Sequence, residues 1–261
     1  MELILRGDDA GSSLSANRAV EQCVRAGVLA NVSLITVGPT SDDAARRVAT
    51  LTDACVGLHV TLNSEFTFPR YRPLLPADRV PTLVGDDGCF LCAPADLHQR
   101  GFSLDEALAE VEAQLEWARA NGLDVRYLDE HMGVGWLPGL ADRLRELCRS
   151  ERLVYARDVA DALPTLSTRQ APGDQVDHWL LQLEQASRNP SGRPCVLITH
   201  PMFDDDEARA MHGPLHPPGS VARSRDLDRT SLLDPRFADG LGALGVDTVR
   251  YDELTSTRTQ P

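Results

Sequence analysis

The sequence predicts an α/β fold on a mostly parallel sheet, closed as a barrel or left open. Three observations carry this. Short apolar runs alternate with helix-like segments about seven times, the order that places parallel strands beneath covering helices. The 261 residues suffice for one large domain with a full core. Acidic residues and histidines stand at the ends of the apolar runs, where parallel α/β folds gather their chemistry.

The first run, Leu3-Ile4-Leu5, leads almost at once into Gly7-Asp8-Asp9-Ala10-Gly11-Ser12. A strand at 3–5 followed by two adjacent carboxylates is the expectation. Adjacent carboxylates repel, and burying both without a counter-charge is costly. A bound cation would remove that cost, with one carboxylate as ligand and the other left as a base. A solvated turn is the plain alternative, since Asp and Gly are common turn residues. A helix at 15–26 follows, ended by Gly27. Further strands are expected at 32–37, 55–61, 125–128, 153–156, 195–199 and 248–251. Further helices are expected at 42–51, 104–121, 138–149, around 177–187, and at 235–244. The one at 104–121 is the clearest. Ser103 and Glu106 read as a capping box, Leu104, Leu108, Val111, Leu115 and Ala118 fall on one face, and Asn121-Gly122 ends it.

Two stretches are too long for simple connections. The first, 62–102, holds Pro69, Pro73, Pro76, Pro81 and Pro94; the second, 201–234, holds His212, Pro214, His216, Pro217, Pro218 and Gly219. Loops of this length are usually functional or disordered. Both follow strands with a histidine near their end, which predicts a lid or a substrate wall. One domain over 1–254 is expected, with a polar, frayed tail at 255–261.

Lys and Arg number 26 against 39 Asp and Glu, a net charge of −13. So acidic a chain argues against nucleic acid or an anionic membrane as partner. No apolar run approaches the ~20 residues of a membrane span, and Met1-Glu2-Leu3-Ile4 lacks a basic signal-peptide start, so a cytoplasmic location is expected. Cys23, Cys55, Cys148 and Cys195 lie in helix-like or strand-like runs and are expected in the core. Cys89-Phe90-Leu91-Cys92 has zinc or redox spacing, but no second pair completes a four-thiolate site, so both read as loop thiols.

Three histidines carry the functional argument. His59 lies in Gly57-Leu58-His59-Val60-Thr61, His131 follows Tyr127-Leu128-Asp129-Glu130, and His200 closes Val196-Leu197-Ile198-Thr199-His200-Pro201. Each stands at or near a strand end, as Asp8 and Asp9 do. One Asp and two His are a common set for zinc or a similar divalent ion, with positions left for water and substrate. The remaining Asp would take a proton from that water and the remaining His give one to a leaving group. Taken singly each histidine reads as structural; the joint pattern points to a metal. His98 and His178 are expected at the surface, and His212 and His216 in a solvated loop, with reach to a substrate from a mobile loop as the alternative.

These motifs resemble the YdjC-like carbohydrate deacetylases, which include chito-oligosaccharide deacetylases. Gly7 through Asn17 looks like that family's Asp-Asp-Phe-Gly opening, Val56 through Leu62 its second motif, Leu128-Asp129-Glu130-His131 the start of its third, and Ile198-Thr199-His200-Pro201 its fourth. Arg223 through Leu227 is similar to a late Arg-x-x-acidic-Leu element, and Tyr251-Asp252-Glu253-Leu254 to the usual ending. The resemblance implies a single-domain β/α-barrel-like fold of about seven parallel strands, incompletely closed or closed. It implies one divalent ion, zinc or magnesium, on Asp9, His59 and His131, and hydrolysis of an N-acetyl group from a sugar. Asp8 would be the base and His200 the acid or an oxyanion partner. Asp129 would orient His131 or a bound water, while Trp136 and Arg223 are candidates for the sugar. The implied partner is a small N-acetylated sugar; the sequence leaves the oligomeric state open, a homodimer included.

Two departures stand out. The family's third motif continues Asp-x-His-x-His-x-His, whereas this chain reads Asp129-Glu130-His131-Met132-Gly133-Val134-Gly135. The glycines predict a wider, less polar pocket floor shaped by Met132, Val134 and Trp136, and weak activity on short chito-oligosaccharides. Ala10 also replaces an aromatic, and Arg6 stands two residues before Asp8. A phosphoester hydrolase and a non-catalytic sugar-binding relative are the competing readings.

Overall fold

The computed structural model describes residues 1–160, 165–166, 173–188 and 194–254. Strands β1 (Glu2–Ala10), β2 (Asn31–Leu34), β3 (Cys55–Val60), β4 (Val125–Glu130), β5 (Val154–Tyr155) and β6 (Cys195–Thr199) form one sheet in the order β5-β4-β3-β2-β1-β6. The short β7 (Asp247–Thr248) pairs with the start of β1, and every ladder is parallel. The sheet curls strongly. In a flat sheet β1 and β4 would stand about 14 Å apart, yet Arg6 of β1 reaches Asp129 of β4 at 3.0 Å. Among the described residues no ladder joins β5 to β6, so the barrel is incomplete there; Thr165 alone bridges to Val196 on β6.

Strand periodicity sorts the core. Leu3 and Leu5 pack outward under the helices, while Ile4 packs inward with Cys55, Tyr127, Ala156, Val196 and Tyr251. The helices are α1 (Leu14–Arg25), α2 (Ser41–Val48), α3 (Pro94–Arg100), α4 (Leu104–Ala120), α5 (Leu140–Glu151), α6 (Ala156–Ala160), α7 (Gln175–Ser187), α8 (Asp206–Ala210), α9 (Ser220–Leu232) and α10 (Pro235–Leu244). The expected strands and main helices all appear, within a few residues.

The long stretches differ from expectation. The second is largely helical, carrying α8 and α9, and the first carries α3. They are joined to each other: Thr67 N–H donates to His212 O at 2.8 Å and His212 N–H to Phe68 O at 3.1 Å. His212 and His216 are therefore packed against 62–102 rather than solvated. The capping box of α4 is half formed. Ser103 Oγ accepts from Glu106 N, but the Glu106 carboxylate takes the Thr82 N–H and hydroxyl instead. The buried face of α4 also carries Glu110, which accepts the N–H groups of Leu74 and Leu75, and Gln114, which pairs with Thr61. Polar groups on this helix thus fix the first long stretch over the sheet. All six cysteines are free and only Cys92 is not buried. No helix among the described residues is long and apolar enough to cross a membrane. The tail expected to fray, 255–261, lies outside the described residues.

Candidate metal centre

The β1 strand continues through both carboxylates. Strand alternation would send Asp8 and Asp9 to opposite faces. Instead the β1–β2 register shifts between Gly7 and Ala10, and Asp9 adopts φ 66°, a conformation costly for a non-glycine residue. The irregularity leaves both side chains lining one cavity of about 410 Å³, together with His59, His131, His200 and Arg225.

Asp9 Oδ1 lies 3.3 Å from His59 Nε2 and 3.3 Å from His131 Nδ1. His59 comes from β3, and His131 opens a 3-10 turn, His131–Trp136, directly after β4. All three side chains are 2–3% exposed. Asp129 stands behind His59, with Oδ2 3.1 Å from Nδ1. Of the two expected roles for Asp129, orienting His131 or a bound water, the histidine it stands against is His59 instead. His59 and Asp129 are register partners across the β3–β4 ladder, so their side chains lie side by side. Asp129 also accepts from Ser33 Oγ at 2.9 Å, and Ser33 Oγ shares a 2.8 Å bond with the Tyr127 hydroxyl. Gly57 makes room for this support. A Cβ there would sit 2.2 Å from the Tyr127 ring.

Two charged residues unassigned in the sequence enter from the long stretches. Arg225 Nη1 lies 2.6 Å from Asp9 Oδ2, and its Nη2 3.3 Å from Glu65 Oε1. Glu65 Oε1 is 3.9 Å from His131 Nε2, and Oε2 is 3.3 Å from His216 Nε2. Arg223, the expected arginine, is exposed on α9. Two residues along a helix turn the side chain by about 200°, so Arg223 and Arg225 face opposite ways. His200 lines the cavity, and its backbone N–H donates to Asp228 Oδ2 at 2.9 Å. Trp136 does not line the cavity. It is half exposed, with its ring edge-on to His98 at 5.4 Å.

The expectation for the two glycines fails at Gly135. A Cβ there would lie 2.2 Å from Glu130 Oε1, because the Glu130 carboxylate fills that space. It accepts from Gly135 N at 2.8 Å, from Arg157 Nε at 2.8 Å and from the Tyr155 hydroxyl. At Gly135 the floor is charged and occupied rather than wider and less polar, whereas at Gly133 the space is open. Val134 is buried in the core, while Met132 and Gly133 do reach the cavity.

The donor set fits a divalent ion. A tetrahedral ion with bonds of about 2.0–2.1 Å holds its ligand atoms about 3.3–3.4 Å apart, the spacing found from Asp9 to each histidine. Asp9 Oδ1 is also buried without a hydrogen-bond partner. The electrostatics agree. Asp8, Asp9, Glu65 and Asp129 are buried against two guanidinium groups, Arg6 and Arg225. Burial disfavours charge on His59, yet Asp129 and Asp8 push its pKa well above the ordinary value, the field that would attract a cation. Burial also opposes ionisation of Asp8 and Asp9, but Arg6 and Arg225 respectively hold them below the usual carboxylate range.

A half-open parallel α/β barrel with an Asp-His-His cluster and a neighbouring carboxylate at its strand ends defines a candidate metal centre. The chain belongs to the YdjC-like protein family, whose pattern matches residues 2–242. A carbohydrate deacetylase of Thermoanaerobacter pseudethanolicus is 29% identical over 136 residues, 49% of this chain and 49% of the relative. One of Xenopus laevis is 27% identical over 161 residues, 60% of this chain and 50% of the relative. The chain thus spans about half the length of the curated relatives it matches. A crystal structure from Enterococcus faecalis V583, described as a candidate cellobiose-phosphate cleavage protein, superposes with a TM-score of 0.81 at 18% identity, covering 97% of this chain and 98% of that one. That likeness establishes the shared fold.

Proposed function

We propose that the protein is a metal-dependent hydrolase that removes the N-acetyl group from an amino sugar or oligosaccharide. The observation that carries this reading is the convergence of Asp9 Oδ1, His59 Nε2 and His131 Nδ1 beside Asp8 in one cavity. Family membership and relatives named carbohydrate deacetylase supply the substrate class. A zinc or magnesium ion on those three residues would polarise the amide carbonyl and bring a water towards deprotonation.

The chain's own residues do the rest. The Asp8 carboxylate, kept ionised by Arg6, accepts the proton lost by the attacking water. His200, fixed through its backbone on Asp228, gives a proton to the departing amine nitrogen. Asp129 holds the His59 ring so that Nε2 faces Asp9. Glu65, Arg225 and His216 close one wall. The products are acetate and the free amino sugar.

Elemental analysis combined with acetate release on a panel of N-acetyl sugars, di-N-acetylchitobiose included, tests the reading. About one divalent ion per chain and acetate equimolar with new amine are expected. Phosphate release from sugar phosphates without acetate would place the chain among phosphoester hydrolases. Sugar binding without turnover would make it a non-catalytic relative.

A further inference from the structure

A second ligand-rich cluster sits directly beside the first. Asp8, His59 and Asp129 each offer a ligand atom within 4.8 Å of the others, and all three are buried. It shares His59 with the Asp9-His59-His131 group. A protein cation stands inside it. Arg6 forks onto Asp8, Nε to Oδ1 at 2.6 Å and Nη2 to Oδ2 at 2.8 Å, and Nη2 also lies 3.0 Å from Asp129 Oδ2. Its remaining Nη1 donates to the Tyr251 hydroxyl at 3.3 Å, and the Tyr251 ring packs tilted against Tyr127 with centroids 4.4 Å apart. The Arg6 side chain is 6% exposed.

We propose that Arg6 is the resident cation of the Asp8-His59-Asp129 cluster, and that it keeps the centre mononuclear by holding Asp8 off the metal. The argument is geometric. Asp8 is the immediate neighbour of Asp9, and both face one cavity. A free carboxylate so close to a divalent ion would be drawn into its coordination, and a ligated carboxylate is a poor proton acceptor. A guanidinium is always charged, and its planar fork matches a carboxylate at two points. It therefore satisfies both Asp8 oxygens without bonding them to metal. Because Arg6 lies two residues before Asp8, strand alternation keeps it on the same inner face, beneath the carboxylate. The buried Tyr251 hydroxyl holds the guanidinium from its other end. Arg6 is thus a positioning residue, acting on the chemistry through Asp8. The catalytic part of this inference rests on the deacetylase reading; the metal-exclusion part does not.

The test compares wild type, R6Q, R6K and the double variant R6Q/D8N. Each is equilibrated against a zinc buffer series, bound zinc per chain is read by elemental analysis, and acetate release is measured on the same samples. Wild type should saturate at one zinc. R6Q should bind zinc at least about tenfold more tightly or take up a second equivalent, while acetate release falls by about 10² or more. A merely structural arginine would instead loosen zinc when removed. In R6Q/D8N the gain in zinc should vanish, because Asp8 no longer offers a charged ligand. R6K keeps the buried charge without the fork and should move in the same direction by less, which secures the test if R6Q does not fold. Zinc binding in R6Q and R6K equal to or weaker than wild type overturns the proposal, as does an equal gain in R6Q/D8N. Absence of acetate release by wild type from every sugar would remove the deacetylase reading while leaving the zinc comparison decisive.

Discussion

Gly135 lies against the Glu130 carboxylate, and adding a side chain there should be destabilising. The perturbation is G135A. Its Cβ would lie 2.2 Å from Glu130 Oε1, 2.6 Å from Cδ and 2.7 Å from Oε2. The Glu130 side chain borders the cavity, so what resists its displacement is its set of partners. Arg157 holds it through Nε at 2.8 Å and Nη2 at 2.5 Å, and the Tyr155 hydroxyl donates to it as well. The methyl must displace the carboxylate and break the Gly135 N–H bond at 2.8 Å. Disrupting a buried ion pair costs about 3–5 kcal/mol. Arg157 is 27% exposed and can recover some hydration, so we expect about 2–4 kcal/mol. At this chain length that lowers Tm by roughly 4–8 °C. Urea melts and calorimetry read both quantities. In an E130A background, itself destabilised, adding G135A should cost much less, since the clash is gone. A loss under about 1 kcal/mol for G135A alone, or full additivity with E130A, would refute the claim that the carboxylate fixes this glycine.

Three further outcomes follow from the site and its supports. H59A and H131A should each lose nearly all bound divalent ion while circular dichroism stays close to wild type; retention of one ion per chain by either would remove that residue from the ligand set. D8N should keep its metal and lose roughly 10²–10⁴ in kcat, and loss of metal there would make Asp8 a ligand. For Glu110, burial pushes the carboxyl above its ordinary 4.5, against the pull of Gln114 and the Leu74 and Leu75 N–H groups. The folded state then holds the proton longer than the unfolded one, so wild-type stability relative to E110Q should fall as pH rises past 4.5 and level off above the raised value. Urea melts of the pair from about pH 4 to 8 measure this, and a relative stability that rises with pH would show that the N–H donors outweigh burial.

What could be read in advance follows physical range. The strands and main helices depend on local pattern and were legible, as was the gathering of Asp8, Asp9, His59, His131 and His200 around one cavity. The bulge that turns Asp9 inward was not, because strand period alone places neighbours on opposite faces. Glu65 was missed because it lies six residues beyond His59 in a proline-rich stretch with no period to orient it. Arg225 reaches the site where Arg223 was expected, and the reason lies in α9. α9 is charged on most sides, so it offers no broad apolar stripe. Yet Val221 and Leu232, both buried, lie on one line at helical spacing, and Arg225 and Asp228 fall between them on that line. An arginine and an aspartate on the inward line of a short helix carry a cost that only partners can offset. Those partners are Asp9 and Glu65 for Arg225, and the His200 backbone for Asp228. The helix therefore carried the signal for both residues in the position of its charges relative to its few apolar ones, and reading 201–234 as a loop hid it.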